Sequence, residues 1–323
     1  MRVLLVKLSS LGDVVHNLPV VSDLLQARPD AKIEWAIESP YTEIAALHPG
    51  VTKVWPVPLR RLKKNWRSSA AWSDFLASRS RLAEQQYDHV LDTQGLLKSA
   101  WVARWPEGVR NGYDKASARE PMAARLYDRA FPVARDLHAV TRNRQLAAKA
   151  FGYSINTGAN YGLEAPTDML AWLPASPYVV FLHATSRANK MWPDVAWIAL
   201  GACFHARGIR VVLPWGSAAE RAASERLAAA IPDALIAPAM SLTHAATMLA
   251  RATAVVGVDT GLAHLAVALQ RPTVGVYITT QPGLTGLHGN ELAVNLGGGT
   301  VDAPHIPDVD LVWQTLQPWL PNN

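Results

Sequence analysis

Short β-rich apolar runs alternate with longer amphipathic stretches from one end of this chain to the other. Strands separated by helix-length connections pair in parallel, because a tight hairpin joins only antiparallel neighbours, so the alternation predicts repeated βα units around parallel sheets. In the first half, strands are expected at 3–6, 33–37, 51–57 and 90–91, and helices at 14–27, 69–85, 96–103 and 137–151. The stretch 152–177 is rich in Gly, Pro, Asn, Ser and Thr and has no clear period, which marks a boundary inside it. A second series follows, with strands at 178–182, 210–213, 234–236, 254–258 and 273–276 and helices at 193–206, 218–230, 242–250 and 261–269. An amphipathic segment at 309–320 reads as a terminal helix whose docking site the sequence does not reveal. The fold class is therefore α/β, with two Rossmann-like domains, 1–163 and 164–323, expected to face each other across a cleft. No repeat at the roughly 20–50-residue period of solenoids is present, which argues against that architecture.

Of the 323 residues, 50% are hydrophobic and 18% charged, enough to bury sizeable cores and too apolar for a disordered or fibrous chain. The single cysteine, Cys203, allows neither an internal disulfide nor a Cys-rich zinc site; it reads as a small buried apolar residue and fits a reducing compartment. At the N-terminus only four apolar residues, Val-Leu-Leu-Val, precede Lys7, too few for a signal-peptide core. The run reads as a buried strand. No uncharged apolar run approaches the roughly 18 residues of a membrane span, so any membrane association is expected to be peripheral.

The formal charge of +5 is unevenly spread. Residues 1–163 carry 23 Lys and Arg against 15 Asp and Glu, a net +8, whereas residues 164–323 carry 8 against 11, a net −3. An anionic partner is thus expected on the N-terminal half.

Loops at the carboxyl ends of parallel strands line the ligand crevice of such sheets. The first of these is Lys7-Leu-Ser-Ser10-Leu-Gly12-Asp13. There Asp13 is either a general base within reach of a substrate hydroxyl or a cap on the following helix. The loop has neither the glycine spacing of a dinucleotide fingerprint nor a Gly-Lys-Ser/Thr ending, so nothing supports an NAD enzyme or a P-loop ATPase. Between residues 58 and 67, Arg60, Arg61, Lys63, Lys64 and Arg67 occur without an acidic residue, as a phosphate clamp or a solvated loop. The adjacent Trp66 suits a lipid headgroup level or a stacked base. A second loop, Asp92-Thr-Gln94-Gly-Leu-Leu-Lys98-Ser, again follows a strand and opens a helix, as a ligand contact or a structural turn. Arg119 and Arg142 add basic candidates.

In the second half, Thr185, Ser186 and Lys190 lie on the loop from the first strand to a helix start at Trp192-Pro193, a combination suited to a diphosphate or simply a polar βα loop. The sharpest local signal is Val258-Asp259-Thr260-Gly261-Leu262-Ala-His264, a buried strand ending at a helix start whose N–H groups would face an anion. His264, one turn in, either reaches the same ligand or packs. No His, Asp and Glu cluster has metal-ligand spacing, so neither a metal nor a cofactor is expected.

These blocks, in this order, resemble the ADP-heptose:lipopolysaccharide heptosyltransferases, most closely the type I members that act first. The resemblance covers nearly the whole chain, through Lys7-Leu-Ser-Ser-Leu-Gly-Asp-Val, Asp92-Thr-Gln-Gly-Leu-Leu-Lys-Ser, Ser117-Ala-Arg-Glu-Pro, His183-Ala-Thr-Ser and Val258-Asp-Thr-Gly-Leu-Ala-His. It implies a GT-B architecture and an inverting enzyme held peripherally at the cytoplasmic face of the inner membrane, with ADP-L-glycero-D-manno-heptose as donor and the first Kdo of Kdo-lipid A as acceptor. By the same resemblance Asp13 is the catalytic base. Thr185, Ser186 and Lys190 meet the phosphates, Glu220 the ribose and Met240 the adenine; Asp259, Thr260, Gly261, Leu262 and His264 meet the diphosphate and heptose. Ser10, Gly12, Arg60, Arg61, Lys63, Lys64, Gln94, Lys98, Arg119 and Arg142 match acceptor positions.

The chain departs from the pattern twice, with Ser186 in place of a threonine and Ile278-Thr279-Thr280 where Gly-Pro-Thr is usual. Competing readings are a type II enzyme acting on the first heptose, a GT-B-like nucleotide-sugar epimerase needing no acceptor, and a non-enzymatic protein that binds anionic lipid or nucleic acid through the basic run.

Overall fold

A computed structural model describes residues 1–185, 187–289 and 291–321. The chain divides into two units, residues 1–164 and 165–323. In the first, six strands run Arg2–Val6 (β1), Lys32–Glu38 (β2), Val51–Val57 (β3), Gln86–Asp92 (β4), Glu107–Tyr113 (β5) and Arg129–Phe131 (β6). They pair in parallel throughout, in the order β3-β2-β1-β4-β5-β6. In the second unit Tyr178–Leu182 (β7), Arg210–Leu213 (β8), Leu235–Ile236 (β9), Ala254–Val258 (β10), Thr273–Tyr277 (β11) and Ala293–Gly297 (β12) form the sheet β12-β11-β10-β7-β8-β9, again all parallel. Counted from its own first strand, the second sheet repeats the order of the first. Both are doubly wound Rossmann-like sheets, the α/β architecture expected from the alternation.

The central strands are apolar without alternation because helices cover both faces of a parallel sheet. Val3, Leu4, Leu5 and Val6 of β1 are wholly buried, as are Ala254, Val255, Val256 and Val258 of β10. Leu4, Val6, Trp55, Phe75 and Trp105 build one core, and Phe181, Trp192, Trp197 and Phe204 build the other. The terminal helix Val309–Leu316 closes the second core with Val312 and Leu316, its Trp313 ring edge-on to Phe204 at 5.1 Å, and ends in the turn Gln317–Trp319.

Several elements differ from expectation. β5, β6 and β12 are not among the expected strands: β5 has only Val109 and Tyr113 as apolar residues, β6 is three residues long, and no residue of β6 or β12 is buried, so towards the sheet margins a neighbour's hydrogen bonds hold them. The helix expected over 14–27 is two helices, Leu11–Val15 and Leu18–Ala27. Pro19 sits in the first turn of the second, where its missing N–H costs nothing and its fixed φ favours initiation. The basic run contains a helix, Leu59–Lys64, not a loop. Cys203 is a free thiol of intermediate exposure, not a buried core residue, because it falls on the flank of its helix. Among the described residues no helix is long and apolar enough to cross a membrane.

Candidate active site

In a doubly wound sheet the crevice opens outside the carboxyl ends of the two strands where the winding reverses. In the first unit these are β1 and β4, the strands that lead into the Ser10–Asp13 and Asp92–Lys98 segments. Asp13 occupies the third position of the helix Leu11–Val15, and its Oδ2 accepts from the Ser10 N–H at 3.0 Å and the Ser10 hydroxyl at 3.2 Å. Its other oxygen, Oδ1, lies 3.6 Å from an Arg119 guanidinium nitrogen. The two readings of Asp13 are therefore compatible: one oxygen ties down the helix start and the other faces a cation. Gly12 lies in the same turn.

Four bonds organise the second loop around Asp92, which is wholly buried. Its carboxylate accepts from the Gln94 and Gly95 N–H groups, the Ser99 hydroxyl and the Tyr127 hydroxyl, the last at 2.7 Å. Burial raises its pKa against those bonds. Gln94 is turned inward, its Oε1 accepting from Leu8 N–H at 2.7 Å, so it joins the two loops. The Lys98 ammonium reaches the Ser9 hydroxyl at 3.3 Å. Arg142 donates to the Ser117 carbonyl at 2.6 Å and lies over the Tyr113 ring.

The expected basic positions divide. Arg60 is fixed by the Tyr41 hydroxyl at 2.6 Å and places its backbone N–H on Glu38, whereas Arg61 turns to Asp74 at 2.6 Å. Lys63 and Lys64 are exposed. Near Asp13 and Asp92 lies a group to which the sequence reading assigns no role. Lys7 is buried, its ammonium donating to the Thr93 carbonyl at 2.9 Å and to Asn143 Oδ1 at 3.4 Å. Burial draws its pKa down to about 8; Asp13 and Asp92 oppose the shift, while Arg119 and Arg142 add to it. The available signal was a lysine directly after an apolar strand.

In the second unit the reversal falls between β7 and β10, and there five of the expected residues line one cavity of about 220 Å³, whereas Lys190, Asp259, Gly261 and His264 are not among its lining residues. Thr185, Glu220, Met240, Thr260 and Leu262 line it together with Leu182, Trp215 and Leu242. The Glu220 carboxylate accepts from Gly216 N–H at 2.6 Å, and Ser217 caps the helix Ala218–Ala230. Thr185 donates to the Asp259 carbonyl at 3.0 Å, and Lys190 pairs with the Asp259 carboxylate at 2.5 Å. Thr260 precedes Gly261, the first residue of the helix Gly261–Ala268, so the positive end of that helix opens at the cavity wall. His264 is buried one turn in. Ser186 lies outside the described residues. The unusual Ile278-Thr279-Thr280 segment is tied beside Lys190, because Thr279 donates to the Asn189 carbonyl at 3.2 Å. Trp215, missed in the sequence, is held by its indole N–H on the Ala237 carbonyl at 2.7 Å; its signal was a strand ending in Pro-Trp-Gly-Ser.

An apolar slot with a carboxylate on one wall, next to an ammonium and a helix N-terminus, suits a nucleoside diphosphate: base in the slot, hydroxyls on Glu220, phosphates at the cationic end. Among the described residues no group of three or more His, Cys, Asp or Glu is placed to hold a metal ion.

Known proteins resemble the chain over nearly its whole length. Lipopolysaccharide heptosyltransferase 1 of Pseudomonas aeruginosa is 47% identical over 310 residues, 94% of this chain and 86% of that protein. The solved structure of E. coli heptosyltransferase WaaC with ADP superposes with a TM-score of 0.90 at 40% identity, covering 99% of this chain and 100% of that one. WaaC with ADP-2-deoxy-2-fluoro heptose gives 0.87 at 39%, covering 98% and 99%. The model of glycosyltransferase family 9 (heptosyltransferase) matches residues 75–308, and with nearly the full length shared with these relatives the chain belongs to that family.

Proposed function

We propose that the chain transfers heptose from ADP-L-glycero-D-manno-heptose to the first Kdo of Kdo-lipid A, working peripherally at the cytoplasmic face of the inner membrane. The observation that carries this reading is the presence, in one chain, of a carboxylate held at the first switch point and, at the second, a cavity with the Glu220 carboxylate on its wall beside a helix N-terminus. Residues 1–163 take the acceptor and residues 164–323 the donor.

Asp13 Oδ1 takes the proton of a Kdo hydroxyl as its oxygen attacks the anomeric carbon from the face opposite ADP. The glycosidic bond forms, the bond to the diphosphate breaks and the configuration inverts. Negative charge grows on the leaving diphosphate as that bond lengthens, so the Lys190 ammonium and the N–H groups after Asp259 stabilise the transition state more than the bound donor. Arg119, Arg142, Lys98, Arg60, Lys63 and Lys64 supply the positive field that an acceptor with carboxylates and phosphates requires.

The deciding experiment incubates the protein with Kdo-lipid A and ADP-heptose and reads the acceptor by mass spectrometry. One added heptose, with stoichiometric ADP release, is expected. Extension only of an acceptor that already bears heptose would identify a type II enzyme instead. Conversion of the donor without any acceptor would identify an epimerase, a reading that leaves the Asp13 and Arg119 cluster without a task.

A further inference from the structure

The acceptor chemistry does not account for a band of exposed aromatic and aliphatic side chains on the first unit. Trp66 is 60% exposed, Trp72 45%, Leu76 52%, Leu97 45% and Trp101 41%. They form one surface. The Trp72 indole donates to the Trp66 carbonyl at 2.8 Å, and Trp72 and Leu76 lie one turn apart on the helix Ser69–Ala83. Phe75 of that helix is buried beneath them, edge-on to Trp72 at 6.1 Å and stacked on Trp101 at 5.9 Å. Leu97 and Trp101 are likewise one turn apart on the helix Leu97–Val102.

Cations frame the band. The Arg67 guanidinium sits 4.6 Å over the Trp66 ring and that of Arg79 lies 5.9 Å from the Trp101 ring. Residues 58–83 hold seven Lys and Arg against one acid, Asp74, which Arg61 already pairs. Indole rings with cationic neighbours and aliphatic tips between them match the boundary between headgroups and acyl chains.

We propose that this band, Trp66, Trp72, Leu76, Leu97 and Trp101 with Arg67 and Arg79, docks the protein on an anionic phospholipid bilayer. The inference rests on the peripheral location proposed above and names its surface. Charge complementarity selects the occupant: two-fold self-association would bring Arg67 and Arg79 against their own copies, whereas a leaflet of anionic headgroups neutralises them. Exposed Leu76 and Leu97 have no role against nucleic acid. The band also adjoins the acceptor loop, because Leu97 N–H donates to Glu120 at 2.6 Å and the next residue, Lys98, reaches Ser9. Docking here would hold the Asp13 loop near headgroup level, where the sugar of a membrane-embedded acceptor emerges.

The test uses the full chain with vesicles of phosphatidylethanolamine and phosphatidylglycerol, read by co-sedimentation and tryptophan emission without donor or acceptor. Binding to these vesicles but not to phosphatidylcholine, weakened by salt, is expected. The W66S/L76S variant should bind about tenfold more weakly through lost apolar insertion. The R67Q/R79Q variant should lose about fivefold per charge removed. Both should release ADP with the wild-type kcat at a saturating concentration of a deacylated, water-soluble acceptor. Failure of the wild type to bind, equal binding by both variants, or a wild-type dimer that buries Trp66 would overturn the proposal. So would loss of turnover on the deacylated acceptor in parallel with loss of vesicle binding, since the band would then belong to the acceptor site. Because vesicle binding is read without chemistry, failure of the transfer reaction leaves this result standing, and the reverse also holds.

Discussion

Asp13 shows how one side chain serves structure and chemistry together. Its Oδ2 holds Ser10 and its Oδ1 is left to Arg119 and to substrate. Asp13→Asn keeps a hydrogen-bonding oxygen for the helix start but has no basic oxygen, so kcat should fall by about 10²-fold or more while the thermal midpoint changes little. Unchanged kcat would leave capping as the whole role. Lys190, paired with Asp259, should be worth roughly 1.5–3 kcal/mol in ADP affinity as a charge-assisted contact, lost in Lys190→Ala and measurable by calorimetry.

His48 is a structural counterpart. Gly50 N–H donates to its Nδ1 at 3.0 Å, so Nε2 carries the proton towards Ser22, and burial lowers its pKa to about 4 from an ordinary 6.5. The folded state then binds fewer protons than the unfolded state between those values. Its contribution is complete above pH 6.5 and is lost as pH falls towards 4, on the order of 2–3 kcal/mol. His48→Gln should flatten that acid limb in urea titrations across the same window.

At the scale of elements, the segment leading to the unit boundary depends on one backbone conformation. Gly162 has φ +61°, and a Cβ there would lie 2.3 Å from His48 Nε2 and 2.6 Å from Ser22 Oγ. Gly162→Ala should therefore cost about 2–4 kcal/mol, part left-handed strain and part overlap. Gly158→Ala, with nothing within 4 Å of the new methyl, is the control and should be close to neutral in the same denaturation series. The split of the first long helix belongs to this scale too: Pro19 divides a continuous apolar period into two short helices, and the first carries Asp13 alone.

For the molecule as a whole, charge asymmetry is the dominant feature. With +8 on residues 1–163 and −3 on the remainder, an acceptor bearing carboxylates and phosphates is drawn to the first unit over a Debye length of about 8 Å at physiological ionic strength. Acceptor KM should rise with salt, and charge reversal at Lys64 should raise it while leaving donor KM nearly unchanged. Arg61 should matter less than Lys64, because Asp74 already neutralises it. An acceptor KM independent of salt would mean that the field plays no part in recognition.

Much of this was legible in the sequence, and for a physical reason. A parallel strand buried on both faces must be apolar throughout, so β1, β7, β10 and β11 announce themselves, and the polar segments that follow mark the crevice. What stayed hidden was held by neighbours. β5, β6 and β12 exist through ladder bonds to the next strand, and the Leu59–Lys64 helix offers only one apolar i,i+3 pair, Leu59 and Leu62, too short a period to announce it. Lys7 looks like a strand-end charge until Thr93 and Asn143, 86 and 136 residues away, close over it. The docking band likewise joins Trp66 to Trp101 only because Phe75 packs between their elements. Composition and period act within a few residues and fix the alternation and the strand-end loops; partners distant in sequence, including the strand order that pairs β1 with β4, are chosen by packing, which only the tertiary structure decides.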